Sequence, residues 1–103
     1  MPKIKVGALT FTVQYTSDPI VIEDKDGEQS ECWGDVSHKG HRIRINTDAT
    51  EVRQKTALLH EVIHVVDEEY QTHLTEPTVT CLASGLMAVI QGNKWFREKL
   101  LGD

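Results

Sequence analysis

Residues 60–64 read His60-Glu61-Val62-Ile63-His64. Side chains four apart on an α-helix stand one above the other. This H-E-x-x-H spacing therefore lets both imidazoles reach a single zinc ion at about 2.0–2.1 Å. Glu61 lies one step around the helix, which puts its carboxylate beside the metal. There it suits a general base toward a zinc-activated water, the chemistry of metal-assisted peptide-bond hydrolysis. A shuffled chain of this composition carries the motif about 2% of the time. The surroundings add weight. Leu58, Leu59, Val62, Ile63, Val65 and Val66 make the segment apolar, and three polar side chains there are costly unless a shared partner satisfies them.

A catalytic zinc commonly has three protein ligands and one open position. The longer H-E-x-x-H-x-x-G-x-x-H form is absent, because Asp67 and Tyr70 stand where its Gly and last His belong. Asp67, Glu68, His73 and Glu76 remain as sources of the third ligand. Asp67 and Glu68 share the motif helix and suit orientation of an imidazole, or solvation, better than ligation. His73 falls in a loop. Glu76 opens the next helix, which must pack on the first, and is the preferred third ligand; helix capping is its competing role. Tyr70 and His73 read as exposed loop residues, with oxyanion stabilisation as the alternative.

The elements that must position these groups follow from the pattern of the chain. Lys3 to Val6 and Leu9 to Tyr15 alternate apolar and polar residues as half-buried strands do. Ile20 to Ile22 leads into Asp24-Lys25-Asp26-Gly27, a turn. Glu31 to Val36 reads as one further strand, and Ser37 to Gly40 as the turn that returns the chain through Arg42 to Asn46. Thr47, Asp48 and Thr50 are N-cap residues for a helix running to about Tyr70. Thr75-Glu76-Pro77 starts a second helix, with Val79, Leu82, Ala83, Leu86, Val89 and Ile90 as its buried face and Gly92-Asn93 as its end. Trp95 to Leu101 makes a short last helix, with Trp95, Phe96 and Leu100 packed back on the body. Trp33 and Phe11 read as core fillers, Cys81 as a small buried residue, and His38 and His41 as a solvated turn. The expected fold is α+β: residues 1–103 as one domain, strand-rich over 1–46 and helical over 47–103. In it a small twisted, mainly antiparallel sheet packs on the motif helix and on a second helix that carries the third zinc ligand.

Leu59-His60-Glu61-Val62-Ile63-His64, with Glu76, Val79, Leu82 and Ala83 downstream, resembles the gluzincin-type zinc peptidases, especially their small phage-encoded and ImmA/IrrE-like members. The likeness covers mainly residues 41–91, and Pro77 is not part of its pattern. It implies His60, His64 and Glu76 as zinc ligands and Glu61 as the general base. It also implies a peptide or protein substrate and a phage or prophage source, hence a host cytoplasm.

Composition bounds the partners. The chain has 103 residues, 11 Lys+Arg against 16 Asp+Glu, and a net charge of −5. The acidic excess argues against nucleic acid. No apolar run reaches the roughly 18–20 residues of a membrane span, and no stretch at the start suits a signal peptide. Two cysteines, Cys32 and Cys81, are too few for a disulfide scaffold and suit reduced thiols in a cytoplasmic protein. Two further readings use the same scaffold: a catalytically silent zinc-binding interaction protein, and a latent peptidase whose tail, Asn93 to Asp103, covers the cleft.

Overall fold

The computed structural model describes residues 1–102, and Asp103, the end of the expected tail, lies outside the described residues. Six strands come first: β1 (Lys3–Val6), β2 (Leu9–Thr16), β3 (Ile20–Glu23), β4 (Gln29–Cys32), β5 (Gly34–Ser37) and β6 (Arg42–Asn46). Three helices follow: α1 (Glu51–Tyr70), α2 (Glu76–Gly92) and α3 (Lys94–Leu101). The fold is α+β.

The main sheet has the order β1-β2-β6-β5, while β3 and β4 form a separate hairpin. Its outer pairs are antiparallel, but the central pair, β2 with β6, is parallel, with Val13 opposite Ile43 and Tyr15 opposite Ile45. The sheet is therefore mixed, with a parallel centre inside the expected antiparallel frame. The tight turn between β5 and β6 makes them a hairpin, so β6 comes back alongside β2 running in the same direction.

Local chemistry fixes the turns. Asp24 Oδ1 accepts from the Asp26 and Glu28 amides at 2.9 and 3.0 Å, and Gly27 takes a φ of 82° that a side chain would resist. The expected single strand from Glu31 to Val36 is broken at Trp33. Cys32 pairs with Ile20 in the hairpin, and Gly34 pairs with Ile45 in the main sheet. The Trp33 carbonyl accepts from the Asn46 amide at 2.9 Å, which pins the crossover.

The core joins Phe11, Val13, Ile43 and Ile45 of the sheet to Val65 of α1, with Leu58 and Val62 packed against it. Asn46 is buried and ties the end of β6 to the start of α1: its Nδ2 donates to the Asp18 carbonyl at 3.1 Å, and its Oδ1 accepts from the Asp48 amide at 2.8 Å.

The helical half is less enclosed than its periodicity predicts. On α2 only Val79 and Ala83 are buried; Leu82, Leu86 and Val89 are exposed, because α2 packs on α1 and on α3 and neither encloses that face. Cys81 is exposed for the same reason. Trp95, at 70% exposure, and Leu100 do not pack back on the body; Phe96 is half-buried. Trp33 is not a core filler either, at 43% exposure, and Tyr15 and Val66 also reach solvent. Among the described residues no helix is long and apolar enough to cross a membrane.

Candidate metal centre

Both imidazoles of the motif stand on α1, whose start and end are fixed by side-chain chemistry. Thr50 is the N-cap and its hydroxyl accepts from the Arg53 amide at 3.3 Å. The helix ends at Gln71, which takes a left-handed φ of 52° and donates its amide to the Asp67 carbonyl. A five-residue link, 71–75, then returns the chain to α2. Asp67 organises that link: its carboxylate accepts the Thr72 hydroxyl and the Leu74 amide, the latter at 3.0 Å. These two hydrogen bonds, the Leu74 amide foremost, hold the Asp67 carboxyl below its ordinary range. Asp67 thus positions the loop rather than an imidazole. Thr75 caps α2, accepting from the Thr78 amide at 3.4 Å, and the next residue is Glu76.

The result is a convergence of three donors from two helices. His60 Nε2 lies 2.7 Å from Glu76 Oε1, His64 Nε2 lies 2.9 Å from Glu76 Oε2, and the two Nε2 atoms are 3.1 Å apart. Of the four sources considered for a third ligand, the fold brings Glu76 to the histidines; Asp67 serves the loop. Glu68 and His73 are exposed and stand outside the His60–His64–Glu76 group. Tyr70 is exposed at the end of α1.

Donor chemistry fits a divalent cation. With one ligand atom taken from each residue, the three donors lie within 4.8 Å of one another, close enough to converge on one zinc, whose tetrahedral ligand atoms sit about 3.3 Å apart. Protons alone serve the cluster poorly. If both Nε2 atoms donate to Glu76, the nitrogens face each other with no hydrogen bond between them. If one is deprotonated, its contact with the carboxylate sets lone pair against lone pair.

Glu61 sits beside this group and is only 7% exposed. Burial, and then the charges of Glu76 and Asp35, push its carboxyl up to about 7, the range that suits a general base at neutral pH. Glu61 is brought close to the sheet by Gly34. A Cβ at that position would meet the Arg44 carbonyl at 3.1 Å, Ile45 Cδ1 at 3.1 Å and Glu61 Cγ at 3.4 Å. A side chain there would force these neighbours back by a few tenths of an ångström.

A cleft of about 760 Å³ opens over the donors. The edge strand β5 contributes Gly34, Asp35 and Val36 to its wall, the β3–β4 hairpin contributes Ile22 and Cys32, and α1 contributes Arg53, Thr56 and Ala57. Asp35 is clamped by Arg44, whose Nε donates at 2.9 Å to Oδ1 and whose second nitrogen donates to Oδ2. Cys32 donates its thiol to the Ile20 carbonyl at 3.6 Å. Burial, aided by the carboxylates of Asp35 and Glu61 and opposed by a hydrogen bond with the Gly34 backbone, raises it, so it stays a thiol rather than a thiolate ligand. None of the described residues of α3 lines the cleft.

The sequence did not point to Gly34, Trp33, Arg53 or the Asp35–Arg44 pair. Even the last was out of register: the expected turn at Ser37–Gly40 would set Asp35 opposite Arg42, whereas the observed pairing of Ser37 with Arg42 shifts the turn by one residue and sets Asp35 opposite Arg44. Comparison with family models, curated proteins and solved structures found no match for this chain.

Proposed function

We propose that this chain is a zinc-dependent metallopeptidase in which His60, His64 and Glu76 hold the metal and Glu61 is the general base. The observation that carries the reading is the approach of two imidazole nitrogens and a carboxylate to within 3.1 Å of one another, with a buried carboxyl poised near neutrality beside them. The resemblance of residues 41–91 to gluzincin-type peptidases points the same way.

A bound zinc supplies Lewis acidity toward a water and toward a substrate carbonyl. The chain does the rest. Glu61 takes a proton from the attacking water onto its carboxylate and returns it to the leaving amine. Among the described residues the outer edge of β5 carries no partner strand, and β5 borders the cleft, so an extended peptide adds there as a further strand. Asp67 holds the α1–α2 link and thereby Glu76. The tail supplies no cover for the cleft among the described residues, which favours an open site over a latent one.

The test is digestion of a random peptide library by the zinc-loaded protein and by its Glu61→Gln variant. Cleavage that falls by at least about 100-fold in the variant, with zinc retained, supports the reading. Zinc retention with no cleavage by either protein overturns it in favour of a metal-binding interaction protein.

A further inference from the structure

Arg53 is the one Lys or Arg among the described residues lining the cleft. It occupies the first turn of α1, where the helix dipole disfavours a cation. It forms no ion pair among the described residues: the nearby carboxylate, Glu51, pairs with Lys55 at 3.6 Å instead. The cation is therefore placed against the local field, without a counter-ion, and at the wall of the site. Ile22 and Trp33 add exposed apolar surface to the same cleft.

We infer that Arg53 sets specificity by binding a carboxylate of the substrate, an inference that rests on the peptidase reading. Arg53 precedes His60 by seven residues, which is about 10 Å along the helix axis. An extended peptide advances about 3.3 Å per residue, so the carboxylate belongs about three residues from the bond over the metal. An Asp or Glu side chain and a free chain end offer the same chemistry. The guanidinium's paired donors match either one.

The test separates binding from turnover. A random octapeptide library, half with free and half with amidated C-termini, is passed over immobilised zinc-loaded Glu61→Gln protein, and the retained peptides are sequenced. The same is done in the Glu61→Gln background with Arg53→Gln and Arg53→Glu added, zinc content being checked in each. The expected result is an enrichment of about tenfold in Asp and Glu, or in free C-termini, whichever source is used. It disappears with Arg53→Gln, turns to Lys and Arg with Arg53→Glu, and weakens as salt is raised. Equal carboxylate content with Arg53 and Arg53→Gln, or retention of no peptide at all, overturns the inference. The peptidase reading is judged separately, by whether the Glu61 protein cleaves the library. If it does, the sequenced products show whether the acid stands about three residues from the cut.

Discussion

Removing the charge of Glu61 should change how stability depends on pH, by an amount that the site geometry sets. The carboxyl is held at about 7 in the folded chelator-treated protein, against 4.5 ordinarily. Because the folded value is raised, the protonated form is the one that folding favours. That contribution is complete below pH 4.5 and is lost as pH rises to and past 7. At about 1.36 kcal/mol per pH unit, ionisation across this interval costs the fold about 3 kcal/mol, a large share of the 5–15 kcal/mol typical of a domain. Glu61→Gln keeps the shape and removes the ionisation. Urea unfolding of both proteins, after chelation, at pH steps from 4.5 to 8 measures the difference. The wild type should lose about 3 kcal/mol relative to the variant over that range. Saturating zinc should shrink the loss, since a cation beside the carboxylate favours its charged form. A difference that stays flat from pH 4.5 to 8 would refute the claim that burial and the neighbouring carboxylates raise this group.

Asp67→Ala should lower zinc affinity by about tenfold while leaving helix content intact, because the anchors of the 71–75 link are lost and Glu76 is no longer held over the histidines; competition with a chromophoric chelator measures it. Gly34→Ala should destabilise the fold by about 1–3 kcal/mol, since two of the contacts a Cβ would make, at 3.1 Å, are with a backbone carbonyl and a packed Ile45; thermal unfolding checks it. Ile45→Ala should cost about 2–5 kcal/mol, as its side chain is fully enclosed between sheet and α1, and denaturant titration reads the loss. Thr75→Ala should cost about 1 kcal/mol through the lost N-cap of α2, visible as a lower unfolding midpoint.

The parts of this molecule legible in its sequence are those fixed by local chemistry. The helical period through Leu58 to Val66, the caps at Thr50 and Thr75, and the turn at Asp24–Gly27 each state their own geometry, and Glu76 becomes a candidate because a capped helix start must follow a short return. What stayed hidden depends on distant parts of the chain. Glu31 to Val36 reads as continuous β-sequence; it breaks at Trp33 because Cys32 pairs with Ile20 in the hairpin while Gly34 pairs with Ile45 in the main sheet. Periodicity marked Leu82, Leu86 and Val89 as one face of α2, but it cannot say what covers that face, and here nothing among the described residues does. Arg53 looks like an ordinary solvated charge until the fold turns it toward the cleft. The parallel pairing of β2 and β6 depends on the path of the intervening hairpin, which no local pattern encodes.

The central claim is a zinc held by His60, His64 and Glu76. Native mass spectrometry of the protein loaded with zinc and freed of excess metal tests it most directly, alongside His64→Ala and Glu76→Ala. One zinc per wild-type chain, with none retained by either variant, is the result expected. A wild type that retains no zinc, or zinc kept in full by both variants, would contradict it.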